Sequence, residues 1–211
     1  MAISPPSRPS ERAAAPHSAA ALAAQVVRRK VAAAGAVTLW LTEPGTQHAP
    51  PPYAPGQFIT LFLPAADGTT LSRSYSLCGN GRADEPWEIT IKRQEGGLVS
   101  PYLCERILPG MVLRASAPSG SFTLPRAVRP DETLIFVATG SGITPFAGML
   151  RALARLDPAA RPQVQLHYAY RNPAAAIYGA ELARIDPEAR WLRQFHYAAS
   201  AGARLTPERL Y

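Results

Sequence analysis

The sequence predicts two successive domains, an antiparallel β-barrel at residues 25–125 and an α/β domain at residues 130–211. Short stretches of β-forming residues, separated by Pro/Gly turns, fill the first part and are typical of a barrel. The second part begins with a nearly continuous apolar strand, a glycine-rich turn and a helical pattern, which indicate a parallel sheet. Residues 1–24, rich in Ala, Pro, Ser and Arg, are expected to form a disordered leader.

The composition and charge limit the possible functions. With 47% hydrophobic residues, a mean hydropathy of −0.06 and no apolar run long enough to span a bilayer, the chain is predicted to be a non-membrane, cytoplasmic protein. The net charge of +7 comes from scattered basic residues with one run at residues 28–30. Without interleaved aromatic residues this pattern does not favour nucleic acid, and it is more consistent with an acidic redox partner.

The cysteines and histidines give little support to a metal site. Cys78 and Cys104 are far apart in the sequence and form no Cys-x-x-Cys motif. This excludes a cysteine-ligated cluster or zinc site within the chain and fits a reducing compartment. A reduced pair is the default, and a disulfide between the two stays open. None of the four histidines has metal-ligand spacing, and His167 and His196 are predicted to be ordinary strand residues.

Six extended stretches build the predicted barrel. They lie at residues 25–42, 57–63, 70–77, 87–93, 111–117 and 121–124. The fourth alternates strictly, which predicts one apolar and one polar face. Its apolar set is Trp87, Ile89 and Ile91, and its polar set is Glu88, Thr90 and Lys92.

One helix interrupts the β pattern after the fourth stretch. Gly96–Val99 leads into Ser100 as the predicted N-cap and Pro101 as the first helical residue, and Pro109-Gly110 ends the helix. Free backbone N–H groups at such a helix start, together with the macrodipole, favour an anion. A capped helix that closes one end of the barrel fits the same residues equally well.

A polar stretch, Arg73-Ser74-Tyr75-Ser76, lies on the third strand after an Asp67-Gly68 turn. Residues two apart share a face of a strand, so Arg73 and Tyr75 can contact one ligand together. A guanidinium fits a phosphate bidentately, and a tyrosine ring offers a flat surface to a planar ring system. A solvated arginine beside a half-buried strand tyrosine is the alternative that these residues alone leave open.

The α/β domain begins with an apolar strand at residues 131–138, predicted to be covered on both faces. The turn Gly140–Pro145 then runs into a helix, which is the context that a dinucleotide-binding loop requires. Pro145 replaces the third glycine of the usual fingerprint and suits the first turn of a helix. The series continues with a strand at residues 163–170, a helix at 174–185 and a strand at 194–200.

Three of these motifs, in this order and spacing, resemble the ferredoxin–NADP⁺ reductase family. They are Arg73–Ser76, Ile91–Arg93 with Gly96–Leu103, and Gly140–Pro145. Pro55–Phe58 and Arg204–Glu208 are similar to members of its bacterial oxygenase-reductase branch. The resemblance covers residues 25–211 and implies an antiparallel Greek-key FAD-binding barrel, followed by an incomplete Rossmann-like NAD(P)H-binding domain.

The resemblance also implies which residues form the site. Arg73 would hold the FAD pyrophosphate, Tyr75 would lie along the isoalloxazine, and Ser76 would hydrogen-bond near its reactive edge. The other implied FAD contacts are Ser74, Thr90 and Lys92, with the backbone amides of Gly97, Leu98, Val99 and Ser100. The implied cradle for the nicotinamide dinucleotide is Gly140, Ser141, Gly142, Ile143, Thr144 and Pro145. Thr144 would lie near the flavin, so Tyr75, Ser76 and Thr144 are the implied catalytic residues.

The activity implied by the resemblance is hydride transfer from NAD(P)H to FAD, then single-electron transfer to a separate iron–sulphur protein or oxygenase. Arg171 follows the second α/β strand, where an acid would favour NADH, so the sequence leans towards NADPH. Family members continue with a strand carrying a Cys-Gly-Pro-type motif, whereas this sequence ends at Tyr211. The chain is therefore interpreted as C-terminally truncated, with a complete FAD site but slow reduction by NAD(P)H.

Two other functions stay open at this point. One is a non-catalytic flavin-binding module that assembles with another chain. The other is a flavin-free scaffold that uses its positive charge to bind an acidic partner or nucleic acid. An absorbance spectrum would identify the flavin-free case, and turnover of NAD(P)H would separate the reductase from the module.

Overall fold

The computed structural model describes residues 21–46, 50–65, 67–125, 128–188 and 190–206. Residues 1–20 of the predicted leader lie outside these ranges, and so do Pro207 and Glu208 of the last motif. The first strand already begins at Leu22, so residues 22–24 belong to the barrel and not to the leader.

Six antiparallel strands and one helix form the first domain. They are β1 (Leu22–Ala33), β2 (Ala36–Thr42), β3 (Phe58–Pro64), β4 (Thr70–Ser76), β5 (Trp87–Lys92) and β6 (Val112–Ala115), with α1 (Val99–Arg106) between β5 and β6. The strand order is β4-β3-β6-β1-β2-β5. Leu77 pairs with Ile89, and the Cys78 N–H donates to the Glu88 carbonyl at 2.7 Å. These contacts join the two edges of the sheet and close it into a barrel.

The barrel interior follows the two-residue period of its strands. Ile59, Leu61 and Leu63 on β3 are buried, as are Ile89 and Ile91 on β5. The predicted extended stretch at residues 25–42 is a hairpin of two strands. Its turn contains Gly35 at φ 71°, a left-handed conformation that glycine adopts without a steric penalty.

Two predictions about the barrel are wrong. Residues 121–124 form no strand, because the chain turns there and the Thr123 N–H donates to the Ser121 carbonyl at 2.9 Å. The helix starts at Val99 with Leu98 as its N-cap, so Ser100 does not cap it. The Ser100 hydroxyl instead accepts the Gln94 N–H at 2.9 Å and closes the turn that precedes the helix.

The second domain is a three-stranded parallel sheet with two helices. Its elements are β7 (Thr133–Thr139), α2 (Ile143–Ala154), β8 (Gln163–Tyr170), α3 (Gly179–Ile185) and β9 (Leu192–Ala198), and the strand order is β7-β8-β9. Both helices pack on the face of the sheet that contains Phe136, Leu166 and Leu192. The helix predicted at residues 174–185 is interrupted, because Tyr178 has a φ of 60° and α3 begins only after it.

Three apolar residues on the opposite face of the parallel sheet are exposed, whereas His167 and Tyr197 on the same face are buried. Ile135, Val137 and Phe195 are 55%, 43% and 41% exposed. The prediction that the first α/β strand is covered on both faces is therefore wrong for the described part of the chain. Its apolar residues alternate between a buried face under the helices and an open face.

The predicted fold class, a β-barrel followed by an α/β domain with a parallel sheet, is confirmed. Cys78 and Cys104 are buried free thiols, and His167 and His196 lie in β8 and β9. Among the described residues, no group of three or more His, Cys, Asp or Glu could hold a metal ion. In the same ranges, no helix is long and apolar enough to cross a membrane.

Candidate functional site

Arg73 and Tyr75 share one face of β4, as predicted. Across the sheet they pair with Leu61 and Ile59, whose side chains are fully buried. Arg73 is nevertheless exposed, and one of its amino groups donates to the Ser72 carbonyl at 2.7 Å. The strand therefore presents a solvent-accessible guanidinium on the side of the sheet that otherwise faces the core. Such an arrangement suits an anion that lies along β4.

The Tyr75 ring packs against the barrel core. It is half-buried against the barrel core cluster, which includes Leu103 and Cys104 of α1. Burial raises the pKa of Tyr75 to about 12, the nearby Cys104 thiol adds to the rise, and the Arg73 charge opposes it. The phenol is therefore neutral at physiological pH. Ser74 and Ser76 adjoin Tyr75 in the chain but lie on the opposite face of β4, where the Ser74 hydroxyl is 2.9 Å from that of Thr60.

The turn before α1 is tightly closed. Gly96 has a φ of 71°, and the Gly97 N–H donates to the Gln94 carbonyl at 3.1 Å. Leu98, whose side chain is 74% exposed, then leads into the helix at Val99. The first N–H groups of a helix have no partner within it, and the helix dipole favours negative charge there. The predicted anion site at Gly97–Ser100 thus coincides with a helix start at Val99, although the Gly97 N–H is already bonded within the turn.

Two of the three residues on the polar face of β5, Glu88 and Thr90, are buried. Thr90 is only 4% exposed, and its hydroxyl lies 2.7 Å from that of Thr38 and 2.5 Å from that of Tyr178. The expectation that Thr90 lines the flavin site is therefore wrong, since the hydroxyl is enclosed between the two domains. Lys92, further along β5, is exposed, and its ammonium would lie 3.1 Å from a Cβ at Gly140.

Lys92 also borders a cavity of about 570 Å³ at the carboxyl ends of the parallel strands. Ligands of open parallel sheets bind at this end of the strands. Two exposed arginines, Arg171 and Arg204, line the same cavity. From the sequence, Arg171 alone was expected at the nucleotide site, and Arg204 was noted only as part of the Arg204–Glu208 motif. The rest of the lining is Thr139, Gly140, Ser141, Ala169, Tyr170, Tyr197, Ala199, Ala203 and Leu205.

The loop from Gly140 to Pro145 is held from two sides. The Tyr168 hydroxyl donates to the Gly140 carbonyl at 3.1 Å, and the Thr144 hydroxyl donates to the Ser141 carbonyl at 2.8 Å. Gly140 has a φ of 51°, and the space around the position of a Cβ at Gly142 is empty. The loop therefore leaves room for a ligand at its glycines.

Two residues of the predicted loop, Ile143 and Thr144, are more buried than expected, whereas Pro145 is where it was predicted. Ile143 is fully buried in the core of the α/β domain, so its side chain cannot contact a nucleotide. Thr144 is 6% exposed and its hydroxyl is used within the loop, which argues against a direct role beside the flavin. Pro145 lies in the first turn of α2, as predicted.

The two domains meet through a buried polar cluster that the sequence gave no reason to expect. Arg151 of α2 forms ion pairs with Glu88 of β5 at 3.0 Å and with Glu181 of α3 at 2.6 Å. The Tyr178 hydroxyl donates to Glu88 at 2.8 Å. The only sign in the sequence was an acidic residue in an otherwise β-forming strand. Alternation assigned Glu88 to a polar face without showing what covers that face.

Family comparisons agree with this arrangement of two joined domains. Residues 36–124 match the oxidoreductase FAD-binding domain family, and residues 136–206 match the oxidoreductase NAD-binding domain family. The chain belongs to the ferredoxin–NADP⁺ reductase-like family. The FAD-binding match spans the Arg73 strand and α1, and the NAD-binding match spans the glycine loop and the cavity.

Several curated relatives that this chain resembles are named as reductases. The ferredoxin reductase component of 3-ketosteroid-9-alpha-monooxygenase from Mycobacterium tuberculosis is 38% identical over 131 residues, which are 62% of this chain and 35% of that protein. Ferredoxin–NADP reductase B from Sorangium cellulosum is 41% identical over 106 residues, which are 50% of this chain and 41% of that protein. The matched region is thus less than half the length of these relatives.

Among solved structures, the cytochrome P450 reductase GcoB from Amycolatopsis superposes with a TM-score of 0.70 at 27% identity. The match covers 84% of this chain and 51% of that one. The reductase-like fold of the barrel and the parallel sheet is therefore shared over most of the present chain.

Proposed function

We propose that this chain is the FAD- and nucleotide-binding part of an NADPH-dependent reductase that delivers electrons to a separate iron–sulphur protein or oxygenase. The observation that carries the proposal is the contact between the two domains at Lys92, whose ammonium lies beside Gly140 of the dinucleotide loop. A flavin on the barrel and a nicotinamide on the loop would meet at this junction. The relatives named as a monooxygenase reductase component and as a ferredoxin–NADP reductase support the same activity.

The barrel residues fit FAD by their chemistry. Arg73 would pair with the pyrophosphate, and the N–H groups at the start of α1 would donate to its oxygens. The neutral Tyr75 ring would support the flat face of the isoalloxazine, with Ser76 at its edge. When bound, FAD supplies the redox chemistry, because it exchanges a hydride with nicotinamide and single electrons with a metal centre.

The cavity residues favour NADPH over NADH. The glycines of the Gly140 loop would let the nucleotide approach the backbone closely. Arg171 and Arg204 place two guanidinium groups in one cavity, with Lys92 on its border. A 2′-phosphate carries the negative charge and the oxygen geometry that arginine recognises. The net charge of +7 likewise fits an acidic protein as electron acceptor.

A second candidate function is a flavin-binding module that assembles with another chain to complete its nucleotide site. The exposed apolar face of the parallel sheet, formed by Ile135, Val137 and Phe195, favours it. Exposed apolar side chains grouped on one face of a sheet often mark an interaction site, and here Ile135 and Val137 on β7 are separated from Phe195 on β9 by the buried His167. In this case the chain alone would bind FAD but would not be reduced by NADPH.

Spectroscopy of the purified chain tests both candidates. Added FAD should bind and give a protein-bound flavin spectrum, and anaerobic mixing with NADPH should then bleach it faster than NADH does. Arg73→Ala should lower FAD affinity, whereas Arg82→Ala, on an exposed loop, serves as a control of equal charge change. A chain that binds no FAD would overturn the proposal. A chain that binds FAD but is never reduced by NADPH would select the second candidate.

A further inference from the structure

One face of β5 touches the α/β domain along most of its length. Glu88, Thr90 and Lys92 alternate along the strand and share this face. Glu88 contacts Arg151 and Tyr178 at one end, and Lys92 lies beside Gly140 at the other. At about 3.3 Å per residue the two ends are about 13 Å apart. A single strand therefore links the buried polar cluster to the dinucleotide loop.

The hydrogen bonds of this cluster run in one direction. Glu88 bears a carboxylate, which only accepts, so the Tyr178 hydroxyl donates to it at 2.8 Å. A hydroxyl has one proton, so Thr90 must donate to Tyr178 and Thr38 must donate to Thr90. The Tyr178 hydroxyl of the α/β domain thus accepts a hydrogen bond from Thr90 and donates one to Glu88, both on β5.

The backbone of Tyr178 is strained in a way that serves this contact. Tyr178 has the one positive φ, 60°, among the non-glycine residues that the structure describes. A side chain makes this left-handed conformation unfavourable, and it persists only where surrounding contacts hold it. Here the ring lies 4.9 Å from the Arg151 guanidinium and its hydroxyl reaches β5. The strain is the geometric cost of turning this side chain from the start of α3 towards the barrel.

The charges in the cluster explain why a hydroxyl donor is needed. Arg151 is shared between two carboxylates, those of Glu88 and Glu181, and it also donates to the Cys78 carbonyl at 2.7 Å. Glu88 is only 7% exposed, so its remaining lone pairs require partners from the protein. The Trp40 indole N–H supplies one at 3.1 Å, and Tyr178 supplies another.

We propose that Tyr178 is a positioning residue, which holds the α/β domain in register with β5 and thereby sets where the Gly140 loop lies relative to the barrel. The inference rests on the proposed function, because it assigns Tyr178 an effect on hydride transfer between nicotinamide and flavin. Displacement of reacting groups by about 1 Å can slow a reaction about 100-fold. Tyr178 itself touches neither ligand site and acts through Glu88 and Thr90.

The test removes one oxygen. Tyr178→Phe keeps the ring beside Arg151 and deletes the hydroxyl, and Tyr102→Phe, on the exposed side of α1, is the matched control. Amide hydrogen exchange in the flavin-free protein should become at least about tenfold faster across β5 and the Gly140 loop in Tyr178→Phe alone. With FAD bound, single-turnover reduction by excess NADPH should slow about 10- to 100-fold, while the dissociation constant of FAD stays unchanged.

A second variant covers the case in which Tyr178→Phe fails to fold. Thr90→Val keeps the shape of the side chain and deletes the hydroxyl that donates to Tyr178. It should accelerate exchange at the same amides and slow reduction in the same direction. The double variant should be little worse than the more severe single one, since both act on one hydrogen-bond chain.

The outcomes separate this inference from the function on which it rests. A parent chain that NADPH does not reduce overturns the proposed function, and the positioning role with it. If the parent is reduced but the folded variants match it in both reduction rate and amide exchange, the positioning role alone is overturned. Faster exchange at a parental reduction rate would show a purely structural contact and would overturn it as well.

Discussion

Gly148→Ala would measure how closely the two domains pack. Gly148 lies within α2, and a Cβ there would be 2.6 Å from the Gly79 carbonyl oxygen. It would also lie 3.2 Å and 3.3 Å from the carbonyl oxygens of Leu77 and Cys78. All three are backbone atoms of the segment that follows β4, and they cannot rotate aside as a side chain can. Ordinary contact begins at 3.4 Å, so α2 and this segment must move apart.

The expected change in stability is the difference between two opposing effects. Overpacking a tight contact costs about 1–3 kcal/mol, whereas alanine in place of glycine inside a helix gains up to about 1 kcal/mol. The short distance to a backbone atom places the overpacking cost in the upper part of its range. We therefore expect the free energy of unfolding to fall by about 1–2 kcal/mol, which changes the folding equilibrium about 5- to 30-fold.

Urea unfolding at 25 °C, followed by tryptophan fluorescence, measures this change. Gly142→Ala is the matched control, because Gly142 has a φ of −63° and nothing within 4 Å of its Cβ position. This control should be as stable as the parent or slightly more stable. A Gly148→Ala protein with the parent's stability or more would refute the close contact between α2 and the segment after β4.

Three further predictions concern the ligand sites and the response to pH. Arg73→Ala should weaken FAD binding about 10- to 100-fold because a charge-assisted bond to phosphate is lost, and Arg82→Ala, on an exposed loop, should change it little; equal effects in a flavin fluorescence titration would remove Arg73 from the site. Arg171→Ala and Arg204→Ala should each raise the dissociation constant of NADPH about tenfold, and that of NADH much less; equal losses for both nucleotides would argue against a 2′-phosphate contact. Burial raises the pKa of Tyr75 from 10.0 in the unfolded chain to about 12 in the folded protein, so the folded state holds the phenol proton more tightly. The stability that this side chain contributes is therefore fully present below pH 10 and is lost as the pH rises from 10 to 12. Urea unfolding across that range should show a smaller loss for Tyr75→Phe, and an unchanged loss would contradict the burial of this phenol.

The parts of the site that follow from local pattern could be predicted from the sequence. Two-residue alternation placed Arg73 and Tyr75 on one face, and the order of strand, glycines and helix located the Gly140 loop. These features depend on residues that are close in the chain. The helix start at Gly97–Ser100 was located as well, although Ser100 closes the preceding turn instead of capping the helix.

What the sequence could not supply is the identity of the neighbours across the chain. Thr90 and Glu88 were correctly assigned to one face of β5, but their partners Tyr178 and Arg151 lie 63–90 residues further along. Helical spacing likewise predicted one helix where Tyr178 breaks it, because the contact with β5 that holds its left-handed backbone is tertiary. Burial of a polar strand face is decided by such contacts, and alternation carries no information about them.

The helices cover only one face of the parallel sheet, and this decides where a further layer of protein could pack against it. α2 and α3 occupy the side that also meets the barrel, so Ile135, Val137 and Phe195 point away from β5. A layer added over these three residues would gain about 25 cal/mol for each Å² of apolar surface it covers. Such a layer would pack against β7, the strand that leads into Gly140, and would not contact the junction between the two domains. A partner or a further segment bound on that side would therefore leave untouched the face of the sheet that meets the barrel.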